Sequence, residues 1–196
     1  MSEKIIKYLT LTQKYTLLLL SANDCMPVTG KVWFQKELFL VSKNLPRLDV
    51  ETEFEGSLMG PYSENADAAL DQLRIEGLVE CNGKIKLTDK GQNVAESLKA
   101  KATKETQELL SDMKSFFNDM TEDELLAYVY FSYPDMTIES IKFEEIKTKR
   151  VSIAICLFAK NKVSIGKAAQ IAGTSQESFI KIARSNGVAV FSELRR

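Results

Sequence analysis

"VSIGKAAQIAGTSQESFIKIARSNG", residues 163–187, decides how the C-terminal quarter of this chain folds. Ser164 precedes a short apolar-periodic run, Ile165 to Ala172, and its hydroxyl can accept the amide hydrogen bonds that open a helix. Gly173 then supplies the positive φ that closes one. Thr174 follows as the cap of a second helix, and Glu177, three residues on, completes a capping-box pattern. Ala169, four residues before Gly173, is small enough to let two helices cross closely, while Ile165, Ala168, Ile171, Phe179, Ile182 and Val188 supply the apolar faces. Two short helices meeting at a glycine turn make a helix-turn-helix.

In that arrangement the second helix presents Ser175, Gln176, Glu177, Lys181 and Arg184 outward, with its N-terminal end free to enter the major groove of duplex DNA. Gln176 suits adenine, Arg184 or Lys181 suits guanine or phosphate, and Lys162 and Lys167, on the first helix and its approach, suit phosphate. Glu177 reads either as an acceptor for a cytosine amino group or simply as part of the cap. Charge is unevenly divided. Residues 150–196 hold eight basic residues (Arg150, Lys160, Lys162, Lys167, Lys181, Arg184, Arg195, Arg196) against Glu177 and Glu193, a net of +6. Residues 1–149 hold 18 basic and 25 acidic groups, a net of −7, so the whole-chain value of −1 conceals an end that attracts polyanions and a body that repels them. A helix-turn-helix that serves only for packing or for binding a protein is the competing reading of the same pattern.

Toward the N-terminus, Thr12 is positioned to cap a helix ending near Ala22, and Gly30 precedes another, Lys31 to Lys43, whose Phe34, Leu38 and Val41 share one face. After Pro46 the acidic "DVETEFEG" (49–56) reads as extended, and Gly60 to Ser63 turn into a third helix, about Glu64 to Glu76. In "GLVECNGKIKLTDKG" (77–91), Asn82 and Gly83 between two apolar-containing runs signal a hairpin. Three helices followed by such a wing form a winged helix. Its third helix would carry Glu64, Asp67 and Asp71 against Arg74 alone, so it is a poor partner for phosphate and suits protein association, with Lys84 and Lys86 on the wing as an auxiliary DNA contact.

From Gln92 to Phe117 the spacing predicts one long helix, packed along the body or pairing as a coiled coil through a seam that Glu105 interrupts. Thr121 and Glu124 open the helix "EDELLAYVYFSY" (122–133), which Pro134 stops; its aromatics either face a partner or fill a core. A further helix runs from about Glu144 to Ala159. The fold expected is therefore mainly α: a winged helix-turn-helix domain with a small β-hairpin wing over 1–118, a helical connector over 119–149, and an all-α helix-turn-helix module over 150–196. Pro134, Asp135 and the charged run before Lys149 mark the boundary.

Composition narrows the chemistry. The sequence contains no histidine, which removes the commonest general base and zinc ligand, and Cys25, Cys81 and Cys156 have no metal-ligand or disulfide spacing, reading as buried thiols of a reducing compartment. No metal or cofactor is expected. "NKVSIGKA" (161–168) lacks the first glycine of a phosphate-binding loop at Asn161 and its final hydroxyl at Ala168, and "GTSQE" (173–177) lacks the second glycine of a nucleophile elbow. Paired acids such as Glu144 and Glu145 read as solvated neighbours, so no enzyme is expected. Gln13 and Lys14 interrupt the N-terminal apolar run, and no stretch is long enough to span a bilayer; a cytoplasmic location is the expectation.

"FQKELFLV" (34–41), "GPYSENADAALDQLRIEGLVE" (60–80) and "KLTDKG" (86–91) together resemble the winged-helix region of Panacea-like antitoxin domains. "VSIGKAAQIAGTSQESFIKIARSNGV" (163–188) is similar to a family of small prokaryotic antitoxin-like proteins of uncharacterised function, with "GKAA" and the "AG" before a capped helix as its specific marks. The resemblance implies a prokaryotic antitoxin-like or transcription-regulating DNA-binding protein. A homodimer on duplex DNA is expected, since paired half-sites raise affinity, and a toxin is the implied protein partner. The alternative is an interaction adaptor or toxin neutraliser without DNA activity.

Overall fold

The computed structural model describes residues 2–190, so Glu193, Arg195 and Arg196 of the C-terminal charge count lie outside the described residues. Among those described, the chain is mainly helical, with eleven α-helices and two two-stranded sheets. They group into two compact units. The first runs to Asp119 apart from Leu58–Gly60; the second combines Leu58–Gly60 with the residues from Met120 onward.

The first unit begins with α1 (Ser2–Tyr8), α2 (Leu11–Cys25) and α3 (Lys31–Ser42). Thr10, not Thr12, caps α2: its hydroxyl accepts from the Gln13 amide (3.1 Å) while the Gln13 side chain accepts from the Thr10 amide (2.9 Å). Thr12 is buried instead, donating through both amide and hydroxyl to the Glu51 carboxylate at 2.7 Å, a partner distant in sequence. Glu51 belongs to α4 (Pro46–Thr52), so the first half of the segment expected to be extended, 49–56, is helical. Pro46 at the first turn presets φ for that helix, and the Thr52 hydroxyl returns to Leu48 O (2.8 Å), so local hydrogen bonding overrides the β-branched residues. Strands β1 (Glu55–Ser57) and β2 (Gly60–Tyr62) then lead into α5 (Glu64–Ile75), capped by Ser63.

Strands β3 (Val79–Asn82) and β4 (Lys84–Leu87) pair antiparallel, Val79 opposite Leu87 and Asn82 opposite Lys84, leaving Gly83 at the tip with φ +76°. Val28 adds a third edge by exchanging two 2.9 Å hydrogen bonds with Ile85. The long helix expected over 92–117 is two: α6 (Asp89–Lys99) and α7 (Lys104–Phe117). Thr103 caps α7, and the Gln107 amide binds Lys99 O and Ala102 O, which fixes the corner between them. At the start of α6, a Cβ on Gly91 would fall 1.9 Å from Leu78 O, so only glycine lets this helix seat there. The shared core contains Leu17, Leu20, Phe34, Leu38, Leu70 and Phe117, all essentially unexposed; each such burial contributes about 1.5–3 kcal/mol.

Three charged side chains are enclosed with this apolar set: Lys36, Glu37 and Lys114. Lys36 Nζ donates to Pro61 O (2.9 Å), and Lys114 Nζ donates to Leu20 O and Ala22 O (2.9 Å each). Regular helix in α2 ends there. Ala22 is extended, and Asn23, Asp24 and Cys25 follow with left-handed φ values of 51°, 54° and 58°. The Asn23 amide clasps α7, donating to Ser111 O (3.1 Å) and Ser115 Oγ (2.7 Å) and accepting from Ser111 Oγ (2.5 Å).

The second unit comprises α8 (Glu122–Ser132), a 3-10 turn (Pro134–Thr137), α9 (Phe143–Ala159), α10 (Ile165–Ala172) and α11 (Gln176–Ser185). The expected capping box opens α8, Thr121 with Glu124. Of the two readings of its aromatics, core filling applies to Tyr130 and Phe131: Tyr130 is fully buried, its hydroxyl 2.7 Å from Ser140 Oγ, and both rings pack near Phe143. A Cβ on Gly60, φ +84°, would lie 2.7 Å from the Tyr130 ring. Among the described residues no helix is long and apolar enough to cross a membrane. The cysteines are all free thiols, but they are not all buried: Cys25 and Cys81 are half-buried and Cys156 is exposed, its position on α9 facing solvent.

Candidate functional site

Helices α9, α10 and α11 build the site. The Ser164 hydroxyl accepts from the Lys167 amide (3.2 Å) to start α10, and Gly173, at φ 71° and ψ 35°, ends it in the left-handed conformation with amides returning to Ala169 O and Gln170 O. The next helix starts one residue later than its sequence suggests. Ser175, not Thr174, caps α11, accepting from the Ser178 amide at 3.2 Å. Thr174 instead turns its hydroxyl inward, where it is buried without a partner, and Glu177 is exposed in the first turn rather than completing a box. Behind the turn, Ala168, Ala169, Ile171, Phe179 and Ala183 are buried, and Phe158 meets Phe179 edge-on at 5.7 Å.

Outward, α11 exposes Ser175, Gln176, Glu177, Ser178, Lys181 and Arg184. Lys181 and Arg184, three residues apart, lie on one face, and neither makes an ion pair or side-chain hydrogen bond with another described residue. Gln176 leans back over α10: its Nε2 lies 3.1 Å from where a Cβ on Gly166 would be, so the absence of a side chain there makes room for it. Lys162 is half-buried at the corner between α9 and α10, its amide donating to Leu157 O (2.9 Å). Lys167 is half-buried too, its Nζ 3.2 Å from Gln170 Oε1 and 5.4 Å above the Tyr128 ring, and burial lowers its pKa. In the first unit, Lys84 and Lys86 are exposed on the hairpin, with Lys86 paired to Glu80 at 3.0 Å; Asp67 and Asp71 of α5 pair with Lys31 and Arg74.

Not all of the counted C-terminal charge is available to a ligand. Arg150 lies against the end of α10, Nε donating to Ile171 O (2.6 Å) and Nη2 to Gln170 O (3.0 Å), with its guanidinium 4.1 Å from the Phe131 ring centroid. A Cβ on Gly173 would meet that guanidinium at 2.5 Å. Lys160 pairs at 2.7 Å with Glu124, itself only 6% exposed. In the sequence Arg150 and Lys160 count as free charge; their acceptors stand twenty or more residues away, and no periodicity marks them. The Gln170 amide also donates to Phe131 O (2.8 Å), so α8 belongs to the packing that orients α10.

Residues 127–193 match an uncharacterised protein family, UPF0175. The match begins inside α8, at the residues that hold α10, and includes the whole helix-turn-helix segment. No curated protein and no solved structure matches the chain.

Proposed function

We propose that the chain is a prokaryotic DNA-binding regulator or antitoxin-like protein that uses α11 to contact duplex DNA. One observation carries the reading: a rigidly capped second helix exposes Ser175, Gln176, Lys181 and Arg184 while its opposite side is locked to α9 and α10 through Phe179 and Ala183. Exposed cations without a partner among the described residues are the groups suited to exchange counterions for phosphate, and short polar side chains at a helix N-terminus suit base edges. Lys162 and Lys167 flank this face as phosphate contacts, Lys167 after leaving its Tyr128 perch.

The first unit we read as a winged helix, α2, α3 and α5 with β3–β4 as the wing and Val28 as its third edge. Its α5 carries Glu64, Asp67 and Asp71, so protein association, with a second copy or a toxin, is its role, and Lys84 and Lys86 make at most an auxiliary wing contact. Two cations without a partner among the described residues stand on α11, which favours a homodimer placing two such helices on paired half-sites. The work is binding rather than catalysis, without cofactor, in the cytoplasm.

Fluorescence anisotropy of the full chain on duplex DNA across a salt series tests this. Lys181→Ala with Arg184→Ala should weaken binding and flatten the salt dependence by about two units of log–log slope, with the melting temperature unchanged because both side chains are exposed. Equal binding by wild type and double variant overturns it. A second reading, an adaptor or toxin neutraliser without DNA activity, draws on the exposed Leu58, Ile138 and Ile141 of the second unit; wild-type affinity no better than a histidine-free acidic control protein would favour it.

A further inference from the structure

Glu37 and Lys114 are two of the three charged side chains enclosed in the first unit. Glu37, on α3, has no exposed surface, and neither carboxyl oxygen has a hydrogen-bond partner. Lys114, on α7, is equally enclosed and feels Glu37 electrostatically, yet its ammonium is committed to α2 through Leu20 O and Ala22 O. Among the described residues no ion pair joins the two.

The carbonyls that Lys114 holds mark the place where α2 gives way to Asn23, Asp24 and Cys25. Three successive non-glycine residues with φ between 51° and 58° persist only where neighbours hold them. Here the holders are Lys114 and the Asn23 clasp on Ser111 and Ser115. Burial disfavours the ionised carboxyl and pushes Glu37 up to about 8, while the Lys114 charge opposes that shift. Burial likewise brings Lys114 down to about 8, with Glu37 and then Cys25 acting against it. Among the described residues no further charged group acts on either side chain, and Lys36, next to Glu37 on α3, is turned to Pro61 O.

We propose that Glu37 and Lys114 form a proton-operated latch on the end of α2. With Glu37 neutral, Lys114 pins the Leu20 and Ala22 carbonyls and the left-handed segment is held. When the pair gives one proton to solvent, carboxylate and ammonium each hold the other in its charged form, and the bare carboxylate is the stronger acceptor; Lys114 swings to it and the carbonyls are freed. Ala22 and Asn23 also line, with Leu18, Leu110 and Ser111, a cleft of about 290 Å³, so the latch reshapes that cleft as it opens.

The full chain carries its own reporter, since Trp33 is its one tryptophan and stands one helical turn before Glu37. Trp33 emission and the amide protection factors of residues 23–26, followed from about pH 6 to about pH 9.5, should change together with a midpoint near 8 in wild type. In Glu37→Gln the protection of residues 23–26 should persist to about pH 9.5, since Lys114 then has no carboxylate to move to and its amine, protonated or not, still donates to the same carbonyls; the transition should survive in Cys25→Ser, and Lys114→Met should leave residues 23–26 unprotected at every pH. A Glu37→Gln protein that titrates like wild type, or residues 23–26 equally protected at both ends of the range, overturns the latch. Where the variant does not fold, carbon-13 NMR of wild-type protein labelled in glutamate reads Glu37 directly: a carboxyl titrating with the exposed glutamates overturns it as well.

Discussion

Arg150 shows what single side chains contribute to the second unit. Its guanidinium serves the last carbonyls of α10, the negative end of that helix, while stacked on Phe131, and Gly173 leaves the space it occupies. Arg150→Met should cost about 2–3 kcal/mol, the value of charge-assisted bonds to carbonyls then left without a donor. Gly173→Ala should cost about 1–2 kcal/mol or more, since it meets both an unfavourable φ and the guanidinium; chemical denaturation measures both. Glu37 predicts a pH effect with a definite sign. Between the ordinary 4.5 and about 8, the folded chain keeps a proton that the unfolded chain has lost, so stability falls as pH rises through that window and levels off above it. Glu37→Gln removes this loss. Its advantage in urea denaturation should grow by on the order of 3 kcal/mol from about pH 5 to about pH 8; an advantage independent of pH contradicts the assignment. Neither Arg150 nor Glu37 stood out in the sequence, because their meaning comes from distant partners: one from carbonyls at the end of the next helix, the other from an ammonium on α7.

Among elements, caps were the most legible signal and also the easiest to misplace by a residue or two. The box at Thr121 and Glu124 is where the sequence puts it, because both partners lie within one turn. Thr12 and Thr174 look equally suited to capping, but Thr12 is claimed by Glu51 and Thr174 turns inward, and Thr10 and Ser175 take over. Stability assays separate the two C-terminal candidates: Ser175→Ala should cost about 1 kcal/mol, the usual worth of a cap, and Thr174→Val close to nothing or a small gain, since its hydroxyl has no partner to lose. The reverse order would restore the sequence reading. The helix over 46–52 and the break at 100–103 were hidden for different reasons. In the first, β-branched and acidic residues mask a helix that Pro46 starts; in the second, a continuous apolar spacing conceals a corner that Gln107 of α7 pins by reaching back to carbonyls of Lys99 and Ala102.

At the scale of the molecule, the sequence's division of charge holds less free cation than it suggests. Within the second unit Arg150 is committed to backbone carbonyls of α10, Lys160 is paired with Glu124, and Lys167 is drawn toward Tyr128. What remains on α11 is Lys181 and Arg184, so the proposed DNA contact concentrates on a few side chains. On the first unit, Lys86 is already paired with Glu80 and the neighbouring α5 is acidic. Lys84→Ala with Lys86→Ala should therefore change duplex affinity less than threefold in anisotropy, about 0.6 kcal/mol; a tenfold loss would make the hairpin a principal contact. The mainly helical character and the β3–β4 hairpin were readable from apolar spacing and Asn82-Gly83, since both are local patterns. Which cations remain free was not, since that depends on where distant acceptors fall.

The sealed carboxyl of Glu37 has a kinetic corollary. In a chain lacking imidazole, the side-chain groups brought closest to neutrality, Lys36, Glu37 and Lys114, are all walled in by apolar neighbours. Hydronium and hydroxide reach them only during transient openings of the helices, so a pH jump would be answered at the pace of internal breathing instead of at the pace of diffusion.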